Sequence, residues 1–159
     1  MSVDYVVVPF DAPTREWARE CGVPVDGIAA GGRAASLDDL RDAAQGLPGH
    51  TFRMPQREAR FEIAVESERF ETFPCDGDYR NTIAPGLAIA PAASLHMTGG
   101  IQVDGRIESM GFHGDYGLLV AIVQRLTRRC GPQVIVADNE GLPWVVASPE
   151  APPLGPIAR

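Results

Sequence analysis

The hydrophobic and polar positions along the chain alternate with the periods of short strands and of helices. The run Val3–Pro9 is apolar, β-branched and aromatic, which predicts a buried strand ending at a proline. Over Arg60–Glu66, apolar residues at every second position alternate with glutamate and alanine, so we expect a strand with one face in water. Further strands are predicted at Leu87–Ala90, Leu95–Thr98, Ile101–Val103, Arg106–Met110, Val134–Ala137 and Trp144–Ala147, and after a turn around Phe70 and Phe73.

Three segments instead have helical periodicity. A short helix over Thr14–Cys21 is followed by Gly22 and Pro24. A second helix is predicted from Ser36, with Asp39 completing a shortened capping box, to Pro48-Gly49. The third has Asp115 as N-cap, ends at Gly131-Pro132 and carries one continuous apolar stripe, formed by Leu119, Ile122, Val123, Leu126 and Cys130.

The order of these elements predicts an α+β fold, a single domain with a mostly antiparallel sheet and about three helices packed on it. Strands and helices do not alternate strictly, and Gly99-Gly100, Asp104-Gly105 and Asp138–Gly141 are turn signals. We expect the domain to occupy residues 1–148. Residues 149–159 are rich in proline and are expected to form a disordered tail.

Composition excludes several kinds of chemistry. All 14 basic residues are arginines, so Schiff-base and phosphate-loop mechanisms that need lysine are excluded. The formal net charge of −7 argues against nucleic acid and anionic membranes as partners, and it favours a basic protein partner through electrostatic steering. The lysine-free composition itself is typical of a GC-rich genome.

Cysteine usage and the N-terminus predict a cytoplasmic protein that does not insert into a membrane. Cys21, Cys75 and Cys130 are odd in number and widely spaced, which favours reduced, buried thiols over disulfides or a zinc motif. The apolar stretch Tyr5–Phe10 has no basic region before it and is too short for a signal sequence or a transmembrane span.

No motif indicates a catalytic centre, and we predict no metal site and no cofactor. The three histidines, His50, His96 and His113, lack the spacing of a helical metal site. The segment Asp76-Gly77-Asp78-Tyr79-Arg80-Asn81 begins like a calcium loop, but Asn81 and Leu87 stand where that loop needs glycine and glutamate. We therefore interpret this segment as a loop that contacts a partner, through Asp76, Asp78, Tyr79 and Arg80, with Asp115 as a further contact residue.

The layout loosely resembles small acidic bacterial immunity proteins that neutralise polymorphic or secreted toxins. The resemblance rests on the opening Met-Ser-Val-Asp-Tyr-Val-Val-Val and on the final helix and hairpin, from Arg129-Cys130-Gly131-Pro132 to Gly141-Leu142-Pro143-Trp144-Val145-Val146. It includes no specific motif and carries over no functional residues. It implies a non-catalytic inhibitor that binds and occludes a cognate toxin.

Two other functions stay open from the sequence. A small enzyme would need a polar cleft near the N-terminus of the helix at 115–130, with His113, Asp115 and Arg80 converging in it. A homo-oligomeric structural or regulatory protein would show a mass that depends on concentration. Of the three, the binding module fits an acidic chain without catalytic motifs best.

Overall fold

The structure contains the three predicted helices and most of the predicted strands, with different bounds, and β1 is buried on one face only. The computed structural model describes residues 4–45, 47, 51–53, 56–57, 60–72, 88–90, 92–102 and 104–157. In chain order the elements are β1 Asp4–Pro9, α1 Ala12–Glu20, α2 Leu37–Gln45, β2 Thr51–Arg53, β3 Gln56–Arg57, β4 Arg60–Ser67, β5 Phe70–Thr72, β6 Ala88–Ala90, β7 Ala93–Ile101, β8 Ile107–Gly114, α3 Tyr116–Cys130, β9 Gln133–Ala137 and β10 Pro143–Val146.

One antiparallel sheet organises the molecule. Its strands lie in the order β10-β9-β1-β8-β7-β4-β2, and β3 also pairs with β4. Strands β5 and β6 pair separately, as a second, two-stranded sheet. Every strand pairing in the described residues is antiparallel. The protein is therefore an α+β fold with an antiparallel sheet, as predicted.

The main core lies on the face of the sheet that α2 and α3 cover, which we call the inner face. Alternate residues of five adjacent strands meet there: Ile63 is in register with Met97, Met97 with Phe112, Phe112 with Tyr5, and Tyr5 with Ala137. Helix α3 contributes the largest share of the helical side, with its buried residues Leu118, Leu119, Val120, Ala121, Ile122, Val123, Leu126 and Cys130. This packing confirms the apolar stripe predicted for the helix.

A smaller core covers the opposite face at one end of the sheet only. Helix α1 and the segment after it pack there against β9 and β10, burying Phe10, Ala18, Val23, Val25, Val134 and Val145. Arg15 donates hydrogen bonds to the carbonyls of Ile28 and Val25, which holds this segment in place. As a result β9 and β10 are covered on both faces. The next strands in the sheet, β1, β8, β7 and β4, keep one face open.

The helix starts follow from capping side chains. Asp11 accepts from the backbone N–H of Thr14 at 3.0 Å, which moves the start of α1 two residues ahead of the predicted Thr14. At α2, Ser36 and Asp39 bond each other's backbone N–H groups reciprocally, confirming the predicted capping box. Asp115 caps α3 as predicted, accepting from the N–H of Leu118 at 2.9 Å.

The turn predicted at Gly99-Gly100 is wrong. Strand β7 runs through both glycines, which pair with Met110 and Ser109 of β8, and an irregularity in the register follows only between Gly100 and Ile101. The hairpin turn lies at Asp104-Gly105, which the sequence also predicted, and Gly105 has φ +82°. Local glycine content could not distinguish these sites, because a long partner strand can hold two glycines in an extended conformation.

The residues after 148 also differ from the disordered tail that their proline content predicted. Leu154 exchanges two backbone hydrogen bonds of 2.8 Å with Val145, so it pairs with the outer edge of β10. The N–H of Ile157 donates to the carbonyl of Gly22, and Pro153 is buried. The unpaired edge of β10 explains this order, because it offers hydrogen-bonding groups to any segment that can reach it.

Candidate functional site: the open face of the sheet

A patterned polar surface lies on the side of the sheet opposite the inner face, which we call the outer face. It consists of residues that alternate with the core: Asp4 and Val6 of β1, Gly111 and His113 of β8, Ser94, His96 and Thr98 of β7, and Glu62, Ala64 and Glu66 of β4. Most of these side chains are exposed, and Ala64 and Gly111 are half-buried. The outer face is therefore open to a partner.

Cross-strand register arranges this face in rows. In one row Glu62 lies opposite Thr98, Thr98 opposite Gly111, and Gly111 opposite Val6. In the next row Ala64 lies opposite His96, His96 opposite His113, and His113 opposite Asp4. Neighbouring strands lie about 4.8 Å apart, so each row of four spans roughly 15 Å. Residues from four distant parts of the chain thus form one surface.

The outer face has charged positions of both signs, since by strand register the arginines of β2, β3 and β4 also stand on it. Glu62 and Glu66 are exposed, and neither carboxylate forms an ion pair or hydrogen bond with another residue in the part of the chain the structure describes. Asp4 accepts a 2.7 Å hydrogen bond from Nδ1 of His113. Glu62 and Glu66 are therefore exposed carboxylates that basic groups of a partner can contact.

A second concentration of charge is buried and has a structural role. Asp39 is 3% exposed, and its carboxylate pairs with Arg33 at 2.9 Å and with Nε of Arg129 at 3.0 Å. Burial acts to raise the pKa of this carboxyl, but the hydrogen bonds from Arg33 and from the Ser36 backbone outweigh it and hold the pKa well below its usual range. Asp39 therefore stays ionised and joins the start of α2 to the end of α3.

The two described cysteines have raised thiol pKa values. Cys130 is buried, and its thiol donates to Asp39 at 3.4 Å. Burial, together with the charge of Asp39, raises the pKa of Cys130 to about 12. Burial and the neighbouring Glu20 also raise the pKa of Cys21. Since the thiolate is the reactive form, both thiols are poor nucleophiles. Cys75 lies outside the described residues.

Two depressions lie along α3 beside its arginines. One, of about 310 Å³, lies between α2 and α3, where Asp42, Gln45, Arg125 and Arg128 line it. The other, of about 130 Å³, lies next to Glu71 and Glu150 and shares the two arginines. Burial and the charge of Arg128 lower the pKa of Arg125. Among the described residues that line them, neither depression brings a hydroxyl or thiol nucleophile together with a base.

The residues predicted to contact a partner are only partly described. Asp76, Asp78, Tyr79 and Arg80 lie outside the described residues, so their place as a contact loop stays a prediction. Asp115 is exposed, and its carboxylate is engaged in capping α3.

The enzyme alternative needed His113, Asp115 and Arg80 to converge. Arg80 lies outside the described residues, His113 bonds Asp4 on the outer face, and Asp115 bonds its own helix. Nothing described here favours that alternative.

Sequence reasoning identified the open face of β4 but not the surface it belongs to. The alternation around Phe61, Ile63 and Val65 placed Glu62 and Glu66 in water. The residues next to them are distant in sequence. Strand order determines which residues become neighbours, and the hydrophobic pattern did not indicate that order.

Comparisons with known proteins add no assignment. No family model matches the chain, and no match was found among curated proteins or among solved structures. In the described residues no group of three or more histidine, cysteine, aspartate or glutamate side chains is arranged to hold a metal ion. No described helix is long and apolar enough to cross a membrane.

Proposed function

We propose that this chain is a non-catalytic binding module, an immunity-type inhibitor that binds and occludes a cognate bacterial toxin through the outer face of its sheet. The observation that supports the proposal is the pair of exposed carboxylates, Glu62 and Glu66, which have no partner among the described residues and lie on the open face of an acidic chain. Exposed charge of one sign raises the association rate with a partner of opposite sign and fixes its orientation.

The architecture supports binding rather than catalysis. The inner face is closed by α2 and α3, whereas most described side chains of the outer face are exposed. A rigid sheet of this kind loses little conformational entropy when a partner docks on it. The loop with Asp76, Asp78, Tyr79 and Arg80 would extend the acidic contact surface.

The experiment pairs the purified chain with the product of the adjacent gene, because immunity genes lie beside the genes of their toxins. We expect a stable complex in gel filtration and protection of cells that express the neighbour. The complex should weaken with added salt, because surface charges are screened. If no complex forms and cells are not protected, the proposal is wrong.

Charge reversal tests the surface itself. The double variant Glu62→Arg/Glu66→Arg should weaken binding at least tenfold, mainly through a slower association rate. Asp38→Arg, at an exposed position of α2, reverses a carboxylate on the other side of the sheet and should bind like the wild type. A complex with equal affinity for all three proteins would overturn the assignment to the outer face. Light scattering of the chain alone tests the homo-oligomer alternative.

A further inference from the structure

Two of the three histidines of the chain are direct neighbours on the outer face. His96 of β7 and His113 of β8 are cross-strand partners in an antiparallel pair, and both are exposed. Residues that lie directly opposite each other on one face have Cβ atoms about 4.5–5.5 Å apart. At that separation two imidazole rings can approach one ion from adjacent strands, each with a nitrogen at about 2.0–2.1 Å from it.

A carboxylate fixes the tautomer of one of these imidazole rings. Nδ1 of His113 lies 2.7 Å from Oδ1 of Asp4, on the next strand of the same row. An ionised carboxylate only accepts hydrogen bonds, so in the neutral ring Nδ1 carries the proton and Nε2 keeps its lone pair. Histidines that bind metals commonly donate their other ring N–H to a carboxylate, which orients the ring and raises its basicity.

We propose that His96 and His113 form a two-imidazole site for a divalent transition-metal ion of the zinc, nickel or copper class, and that Asp4 positions His113. Imidazole nitrogen is a ligand these ions prefer, whereas magnesium and calcium prefer oxygen. The described residues supply no complete set of three ligands, so water fills the other coordination positions. The site is open to solvent, since the His113 and Asp4 side chains are 51% and 65% exposed. This proposal does not depend on the toxin-binding function.

Isothermal titration calorimetry of the full chain with Ni²⁺ or Zn²⁺, without any partner protein, tests the site. The wild type should bind one ion, and His96→Gln and His113→Gln should each weaken binding at least tenfold. The remaining histidine provides the matched control, so His50→Gln should bind like the wild type. Because the exposed side chains contribute little to folding, the melting temperatures of the metal-free variants should be unchanged.

The role of Asp4 needs a readout that a simple loss of structure would not give. Asp4→Asn should lower the affinity about 10–100-fold, as expected when a carboxylate that orients a ligand is removed. Cu²⁺ electron paramagnetic resonance should still detect two nitrogen ligands in this variant, but only one in His96→Gln. Equal metal binding by the wild type and both His→Gln variants, or loss of binding in His50→Gln, would overturn the proposal.

Discussion

Asp39 shows how one buried carboxylate can hold three segments together. It accepts hydrogen bonds from Arg33 in the loop before α2, from the Ser36 backbone and from the Cys130 thiol, and it pairs with Arg129 at the end of α3. A buried charge is tolerated only when it is paired and hydrogen-bonded in this way. The network is structural, and its partners converge from both helices.

Replacing this carboxylate should destabilise the fold. Asp39→Asn leaves Arg33 and Arg129 without their counter-charge, and we expect a loss of about 1–3 kcal/mol in the free energy of unfolding, since both arginines can still reach water. Urea denaturation at pH 7 measures it. The neighbouring Asp38→Asn is the control: Asp38 is 83% exposed and forms only a 3.8 Å pair with Arg41, so its loss should be within about 0.5 kcal/mol.

The same variant has a defined pH dependence. The folded-state pKa of Asp39 is below the unfolded value of about 3.9. The stabilisation that the ionised carboxylate gives to the folded state is therefore fully present above that pH. It is lost as the pH falls below about 4 towards the folded pKa. The difference in unfolding free energy between wild type and Asp39→Asn should therefore be constant from pH 7 to pH 5 and narrow at pH 3. A difference that grows at low pH would contradict this assignment.

At the scale of elements, α3 ends in a backbone conformation that only glycine adopts easily. Gly131 has φ +71° and ψ −171°, and its N–H donates to the Thr127 carbonyl. A Cβ at this position would also lie 2.6 Å from the carbonyl oxygen of Gly31. The end of the main helix and the loop before α2 are thus packed backbone to backbone.

Gly131→Ala should destabilise the protein by more than about 2 kcal/mol, because it combines backbone strain with a backbone clash. Gly141→Ala is the matched control: Gly141 has φ +69°, as its turn predicted, but open space around it, so only about 1–2 kcal/mol of strain applies. Chemical denaturation of both variants gives the comparison. Equal losses would show that the close approach of Gly31 is unimportant.

At the scale of the whole molecule, the C-terminal segment closes one edge of the sheet. Leu154 pairs with Val145, and a Cβ at Gly155 would lie 2.5 Å from the Trp144 ring, so the backbone packs directly on the indole. Trp144 is 5% exposed. The segment that resembles a tail in sequence thus functions as part of the fold.

Removing residues 153–159 should lower the unfolding free energy by about 1–3 kcal/mol, through three lost backbone hydrogen bonds and exposure of the indole. In a Trp17→Phe background, which leaves Trp144 as the only tryptophan, its fluorescence should shift to longer wavelength. Deleting residues 158–159 alone keeps every described contact and should change neither property. Unchanged stability and emission after the longer deletion would show that the segment does not pack in solution.

The local pattern of hydrophobic residues predicted most elements. An element buried on one side needs an apolar residue at about every second position in a strand and every 3.6 positions in a helix, and this spacing is visible within a short stretch of sequence. It predicted β1, β4, the C-terminal hairpin and α3 with its cap at Asp115. It missed β2 and β3, whose sequences lack a clear alternation, and it placed a turn at Gly99-Gly100. It identified Asp39 only as part of a cap, since Arg129 is too distant in sequence to be recognised as its partner.

The sequence by itself thus determined the fold class, which residues of β4 face the core, and which lysine-dependent chemistries are excluded. Only the tertiary structure decided that β4, β7, β8 and β1 lie side by side, which brings Glu62, His96, His113 and Asp4 onto one surface. It also decided that α1 packs on the opposite face from α2 and α3. The reason is physical: periodicity records how each element meets the core, whereas strand order depends on contacts between segments that are far apart along the chain.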